Sequence, residues 1–285
     1  MGASIEDNEI QRGTRPTSSL TTYYGVYLGT GSKGNTITRN RIHSPNPSGS
    51  ASTATIYGIF LTGADGTSTT PNVVSNNLIY NFVGGGASAI WYGLYNSGSD
   101  FAYFYHNTVV LKDNSVNATG ATYGFFRTTA NTVNNEFKNN IIELDRNTSG
   151  NQYAIYLSDS TSAFASDYNN IVLGANAQFG YNGASTNTMA TLDDWKARTA
   201  YDDNSSTITP AFSDPQSFNY RPLNANLNNR GTPVGVLVDI DSTIRSTTTP
   251  DIGAYEFNVS GCTTPPTAGT VIASDTINVC PNSDV

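Results

Sequence analysis

The chain of 285 residues is long enough to bury the core of one large domain or of two ordinary ones. Its net charge is −8, and the sequence has no basic stripe that could neutralise phosphates, which argues against nucleic-acid binding. The negative charge also disfavours binding of anionic polymers. Charged residues make up only 13% of the sequence, so the surface is expected to be polar but mostly uncharged, as in many extracellular proteins.

Two short phrases alternate along residues 1–180. The first phrase begins with tyrosine, which is followed by glycine or alanine, then by an apolar residue and then by an aromatic residue. It occurs at residues 24–28, 57–61, 92–96, 123–127 and 153–157. The second places an asparagine between an apolar and a β-branched residue, and its asparagines are Asn8, Asn40, Asn77, Asn107 and Asn140. Successive asparagines lie 32, 37, 30 and 33 residues apart. A period in this range, with strand-like alternation inside each phrase, predicts a solenoid.

The phrases are joined without any amphipathic helical stretch, so the connection between parallel strands must be the coil of the solenoid itself. Coils stacked about 4.8 Å apart would pair each strand with the coils above and below. The recurring asparagines are expected at the bend between two strands, where they would take the left-handed conformation and form a structural ladder. Leucine is too sparse for a leucine-rich repeat. We therefore predict an all-β fold, a parallel β-helix, over residues 1–189.

The segment after the repeats shows a short helical pattern at 192–196 and the sequence Asp-Ile-Gly-Ala-Tyr-Glu-Phe at 251–257. Together with the repeats, this order resembles bacterial surface β-helix proteins of the choice-of-anchor type. The resemblance implies a right-handed β-helix that ends in a cap at residues 190–258. A cap is also expected physically, because an open solenoid end exposes strand edges and apolar core. Charge pairs within this cap are expected among Arg245, Asp239, Asp241 and Asp251.

Residues 259–285 look like a linker and the truncated start of an immunoglobulin-like β-domain. The two cysteines, Cys262 and Cys280, both lie in this segment and could form one disulfide. No signal-peptide pattern occupies residues 1–20, and residues 5–10 already form a complete second phrase. The chain is therefore interpreted as a fragment of a longer protein. The sequence has no apolar run of about 18 residues, so no membrane-spanning helix is expected.

Catalysis on the repeats would need side chains that converge. Hydrolysis of a glycosidic bond uses two carboxylates about 5–10 Å apart, and the residues before the repeated asparagines form no acidic column. Lys138, Arg39 and His106 could line one face for lyase chemistry, but no acidic calcium cluster accompanies them. His43 and His106 are expected to be solvated surface residues. Three acidic pairs are expected to serve in capping, in salt bridges or at a structural ion: Asp193/Asp194, Asp202/Asp203 and Asp239/Asp241. We therefore assign no catalytic residue, metal or cofactor.

The first phrase predicts an aromatic column. If its apolar residues point inward, period-two alternation turns the next residues outward, and these are Tyr27, Phe60, Tyr95, Phe126 and Tyr156. Their neighbouring glycines are expected to share this orientation and to leave one edge of the column open: Gly25, Gly58, Gly93 and Gly124. Such a row suits a linear glycan, because aromatic rings pack against the apolar faces of sugars. The alternative interpretation is that the rings merely stack on each other.

These observations lead to one functional expectation with two alternatives. The chain is interpreted as an extracellular, non-enzymatic β-helix stalk of a bacterial surface or secreted protein, adhesive or glycan-contacting, and monomeric within a larger chain. Its partner would be a polysaccharide or a cell-surface glycan. The first alternative is a polysaccharide lyase or glycoside hydrolase. The second is a purely structural spacer.

Overall fold

The computed structural model describes residues 2–13, 20–47, 50–83, 86–128, 132–160, 163–183 and 188–258. Residues 259–285, with the expected linker, the start of the immunoglobulin-like domain, Cys262 and Cys280, lie outside the described residues.

The described chain is built from short strands. The first nine are β1 (Ser4–Glu6), β2 (Glu9–Ile10), β3 (Tyr23–Leu28), β4 (Thr36–Thr38), β5 (Arg41–His43), β6 (Ile56–Thr62), β7 (Asn72–Ser75), β8 (Leu78–Tyr80) and β9 (Trp91–Ser97). The next ten are β10 (Ala102–Tyr105), β11 (Thr108–Ala118), β12 (Thr122–Thr128), β13 (Asn135–Lys138), β14 (Ile141–Thr148), β15 (Gln152–Leu157), β16 (Phe164–Asp167), β17 (Asn170–Leu173), β18 (Gln178–Asn182) and β19 (Thr188–Met189). The remainder holds α1 (Leu192–Thr199), β20 (Phe212–Asp214), β21 (Asn219–Pro222) and short 3-10 turns at Pro215–Ser217 and Ala225–Leu227.

Every third strand stacks on the one before it, which produces three sheets. Sheet A contains β1, β4, β7, β10, β13 and β16, sheet B contains β2, β5, β8, β11, β14 and β17, and sheet C contains β3, β6, β9, β12, β15 and β18. Pairing within these stacks is parallel, and β19 adds to the end of sheet C in the antiparallel sense. The chain makes about five turns. The predicted parallel β-helix is therefore confirmed.

Equivalent residues of successive coils form the core. Tyr24 pairs with Tyr57, and Val26 pairs with Ile59, so the repeated phrases stack in register. The inward apolar residues of sheet C are all buried: Val26, Ile59, Leu94, Phe125 and Ile155. Sheets A and B add buried columns to the same hydrophobic core, among them Ile37, Val74, Phe104 and Phe137, and Ile42, Ile79, Val109 and Ile142. Full burial of each such side chain contributes about 1.5–3 kcal/mol.

The predicted asparagine ladder lies inside the bend between sheets A and B. Each side-chain amide donates to the carboxamide oxygen of the next coil: Asn8 to Asn40 at 3.0 Å, Asn40 to Asn77 at 2.9 Å, Asn77 to Asn107 at 3.0 Å and Asn107 to Asn140 at 3.0 Å. The same oxygens also accept the backbone N–H of the preceding ladder residue. The ladder continues to Asn169, which donates to the buried carboxylate of Asp202 at 2.9 Å.

The left-handed residue of each bend is the one before the ladder asparagine, not the asparagine itself. These residues are Asp7, Arg39, Asn76, His106, Asn139 and Tyr168, with φ between 54° and 58°. The expectation that the ladder asparagines take this conformation is therefore wrong. The side chains of the ladder asparagines instead form hydrogen bonds between successive coils.

The glycines of the first phrase point into the core. A Cβ at Gly93 would lie 2.5 Å from Val109 Cγ1 and 2.7 Å from the carbonyl oxygen of Gly124. Gly25, Gly58 and Gly124 meet the corresponding isoleucines of sheet B in the same way. The expected outward orientation of the glycines is therefore wrong, because they interrupt the period-two alternation of sheet C.

Helix α1 covers the C-terminal end of the solenoid. Trp195 is fully buried beside Phe179, and its indole N–H donates to Asp202 at 2.8 Å. Thr191 and Asp194 form a capping box at the start of the helix, which satisfies backbone donors that would otherwise lack partners.

Residues 207–258, the C-terminal strap, fold back along the solenoid. They follow the A–B bend and pack residues such as Ile240 and Tyr255 on the outer side chains Leu78 and Tyr80 of sheet B. Contacts run from Asn170, which donates to the carbonyl oxygen of Ile208, to Arg41, which forms an ion pair with Asp241 at 2.7 Å. The strap therefore spans most of the coils rather than covering only their end.

Buried polar side chains fasten the strap. Arg245 pairs directly with Glu256 at 3.1 Å, not with the three aspartates expected from the sequence, and it donates to Asn76 at 2.8 Å. His106 is fully buried and hydrogen-bonds the backbone carbonyl of Asp251. Burial, and then the charge of Arg245, holds the pKa of His106 well below its usual value. His43 is buried as well, so the expectation that both histidines are solvated is wrong.

The first prediction concerns the ladder. The side-chain oxygen of Asn107 accepts the backbone and side-chain N–H groups of Asn77, and its amide donates to Val74 and Asn140. Asn107→Ala removes all four hydrogen bonds inside a fully buried bend. We expect it to lower the free energy of unfolding by roughly 2–4 kcal/mol, because buried donors lose their partners. Urea titration followed by circular dichroism measures the change. The matched variant is Asn8→Ala at the exposed end of the ladder, expected to lose less than about 1 kcal/mol. Equal losses would contradict the ladder's role.

Candidate functional site

The outer surface of sheet C carries two parallel rows of aromatic side chains. The first row consists of Tyr24, Tyr57, Tyr92, Tyr123 and Tyr153, and the second consists of Tyr27, Phe60, Tyr95, Phe126, Tyr156 and Tyr181. We call the two rows together the aromatic face. Its second row contains all five residues that the sequence predicted, and Tyr181 extends it by one coil.

Rings within each row stack on their neighbours in the adjacent coils, except that the planes of Phe60 and Tyr95 are tilted by 43°. Centroid separations run from 4.9 to 6.2 Å in the first row and from 4.5 to 5.4 Å in the second. The rows contact each other edge to face, as between Tyr92 and Tyr95, whose centroids are 4.9 Å apart with planes at 80°. Both arrangements are the ones that the quadrupole of an aromatic ring favours.

Mutual stacking limits which parts of the rings meet solvent. Tyr27 is 54% exposed and Tyr24 is 41% exposed, whereas Phe126 and Tyr153 are each 9% exposed. Free ring surface is therefore concentrated in the first coil, and further along the face mainly ring edges and phenol groups face outward. Both interpretations made from the sequence retain support, because the rings stack on each other and still form a continuous outer surface.

The sequence analysis missed the first row, although its signal was present. Each phrase has tyrosine three residues before the second-row aromatic, which strict alternation would place on the opposite face. The intervening glycine turns inward toward the core. Tyr24 and Tyr27 consequently lie on the same side of the sheet, with centroids 5.3 Å apart.

Partial burial raises the pKa of three phenols of the first row, those of Tyr57, Tyr92 and Tyr123. Burial, followed by neighbouring tyrosines, raises the pKa of Tyr57 to about 12 and the pKa of Tyr123 to about 12. The pKa of Tyr92 is raised for the same reasons. At neutral pH the aromatic face therefore presents uncharged hydroxyl groups as hydrogen-bond donors and acceptors.

The residues considered for catalysis do not converge. Lys138 binds Glu136 at 2.6 Å, Arg39 pairs with Glu6 and Asp7, and His106 is buried against the strap. The acidic pairs stabilise the fold: Asp194 caps α1, Asp202 accepts from Trp195, Asp239 accepts three backbone N–H groups, and Asp241 pairs with Arg41 and Arg221. Within the described ranges, no three metal-ligating side chains lie together.

Comparison with protein-family models, with curated proteins and with solved structures gives no match to this chain. In the part of the chain that the structure describes, no helix has the length and apolar character needed to span a membrane. The candidate site therefore depends on its own geometry: two uncharged aromatic rows on sheet C, on a different side of the solenoid from the strap.

The raised pKa values of Tyr57, Tyr92 and Tyr123 predict alkaline unfolding. Tyr57 and Tyr123 have folded-state pKa values of about 12, above the value of 10.0 for an unperturbed phenol. Their stabilisation is complete below pH 10 and is lost as the pH rises through 12. Phenolate absorbance and circular dichroism, recorded together against pH, should show late-ionising phenols and loss of structure in that range.

The matched variant for this titration is Tyr123→Phe, which keeps the ring and removes one phenol. It should reduce the late absorbance step by one phenolate and move the loss of structure to higher pH. If all tyrosines of the native protein instead ionise in a single step near the ordinary value, the phenols of the first row are not partly buried.

Proposed function

We propose that this chain is a non-enzymatic β-helix segment of an extracellular bacterial surface or secreted protein and that it contacts glycans through the aromatic face. The observation that carries the proposal is the continuity of this face over successive coils at a constant register. A linear polymer that lies along the solenoid axis would meet open ring surface at Tyr24 and Tyr27 and then ring edges and phenol groups at equivalent positions of the following coils. Repeating sugars match such a repeating surface.

The chemistry of the face suits an uncharged polar ligand. Aromatic rings offer apolar contact to the C–H faces of sugars, and phenol groups exchange hydrogen bonds with sugar hydroxyls. Tyr24 and Tyr27 supply the largest exposed ring area. The remaining rings are held by their neighbours on both sides, so ordering them on binding loses little conformational entropy.

The extracellular assignment is supported by composition and by resemblance. Charged residues are 13% of the sequence, which is about half the share in ordinary soluble domains. The terminal sequence at 251–257 resembles that of bacterial surface β-helix proteins. Enzymatic cleavage receives less support, because the acidic side chains of the cap are engaged in capping, turns and ion pairs.

The third prediction tests the face at its exposed end. The double variant Tyr24→Ala/Tyr27→Ala should reduce retention in native gels cast with a panel of neutral and acidic polysaccharides. We expect affinity to fall about tenfold or more, because the loss of two rings that bury apolar area on binding should cost at least about 1.4 kcal/mol of binding free energy. The matched control is Ile244→Ala, which removes a large side chain that is 79% exposed on the strap. It should leave retention unchanged.

Other outcomes assign other functions. Unchanged retention of the double variant would mean that the rows serve packing alone, and no retention of the native chain by any polymer would favour a spacer. Loss of polymer around the band, seen by staining, would favour an enzyme. Phe126→Ala calibrates the packing contribution, because Phe126 is nearly buried between its stacked neighbours. The melting temperature of the Phe126→Ala variant should fall.

A further inference from the structure

A polar cleft lies at the corner between sheets B and C, near the C-terminal end of the solenoid. It encloses about 600 Å³, and residues of three successive coils line it. The lining residues that matter most are Asn117, Asn147, Asn151, Asn176, Gln178 and Tyr153. The cleft is thus a concentration of side-chain amides, separate from the asparagines of the internal ladder.

The amides of the cleft retain hydrogen-bonding capacity. Asn147 donates to Asn117 at 2.7 Å, which leaves the Asn117 amide N–H₂ and the Asn147 carbonyl oxygen on the exposed side of this pair. In the part of the chain that the structure describes, the side chains of Asn151, Asn176 and Gln178 make no hydrogen bond. Each carboxamide offers two donors and one acceptor oxygen. The wall therefore presents mixed donors and acceptors to a ligand.

The floor of the cleft is fixed by internal hydrogen bonds. Gln152 is 2% exposed, donates to the carbonyl oxygen of Arg146 at 3.0 Å and accepts from its backbone N–H. Thr148 donates to the carbonyl oxygen of Gly120 at 2.8 Å. A floor held in this way needs little further ordering, which reduces the entropy that would be lost when a ligand binds.

Among the residues that the structure describes, no charged side chain lines the cleft. The guanidinium of Arg146 lies over the ring of Trp91 at 3.7 Å and is turned away from solvent. A smaller adjoining cleft shares Asn147 and Asn176, and both Asp145 and the buried Arg146 line it. Among the described residues, an anionic ligand would therefore find no cation in the cleft, and beside it a carboxylate next to an arginine that is buried.

Tyr153 connects the cleft with the aromatic face. Its ring stacks on Tyr123 with centroids 6.2 Å apart, and its side chain also lines the cleft. A chain of sugars that follows the first aromatic row toward the C-terminal end would therefore reach the amides without leaving the protein surface.

From this arrangement we infer that the cleft is a subsite for an uncharged polysaccharide and that its amides select neutral over acidic sugars. The inference rests on the proposed glycan-binding function and names the class of glycan. Sugar hydroxyls both donate and accept hydrogen bonds, which matches the mixed amide wall. A uronate would lose hydration without gaining a cationic partner, and the net charge of −8 repels it further.

The test uses the whole chain in native gels cast with galactomannan or hydroxyethyl cellulose as neutral polymers and with polygalacturonate or alginate as acidic ones. The native chain should be retarded by at least one neutral polymer and by neither acidic one. Asn147→Ala/Asn176→Ala should weaken that retardation about tenfold, since it removes hydrogen bonds that together are worth about 1.4 kcal/mol. Both side chains are exposed, so the melting temperature should not change.

The control variant is Asn226→Ala, an exposed asparagine in the strap, which should bind as the native chain does. Equal retardation by acidic polymers, or native binding by the cleft variant while Tyr24→Ala/Tyr27→Ala loses binding, would overturn the inference and leave the proposed function standing. Lost binding in the cleft variant alone would support the cleft and contradict the role of the aromatic face. Absence of retardation in every gel would overturn both.

Discussion

The asparagine ladder in the A–B bend is the constraint on which the rest of the structure depends. Each ladder oxygen accepts both the backbone and the side-chain N–H of the preceding coil, as Asn107 does for Asn77. A slip of one residue in any coil would bury these donors without partners and turn the core side chains of the strand outward. The ladder therefore holds coils of 29 to 37 residues in one register, and the variation in length is absorbed by the loops.

Because the register is constant, equivalent outer positions of successive coils serve the same role. The residue before each ladder asparagine adopts the left-handed conformation and points its side chain away from the core. Asn76, His106 and Asn139 at these positions all bind the strap. On sheet C the inward glycine leaves two outward aromatic positions in each coil instead of one. One repeated backbone thus produces an attachment side for the strap and, elsewhere on the solenoid, a continuous aromatic surface.

The sequence was sufficient for the features that follow from periodicity. The spacing of the asparagines predicted the coils, and the position after the apolar residue predicted the second aromatic row, from Tyr27 to Tyr156. The first row was missed because alternation was assumed to continue through Gly25, whereas close packing against Ile42 turns that residue inward. The path of the strap could not be predicted from the sequence either, since contacts between distant residues leave no local pattern. Asn139 and Thr232, for example, are 93 residues apart.

The distribution of charge connects the fold with the proposed binding. The ion pairs of Arg41 and Arg245 lie in the strap and along the A–B bend, where they attach the last segment of the chain. The aromatic face and the cleft lining hold phenols, amides and hydroxyls. Binding there would draw on ring contacts and neutral hydrogen bonds, which salt does not screen as it screens exposed charges. The solenoid therefore separates the charged contacts that complete its fold from the uncharged surface on which we propose that a ligand binds.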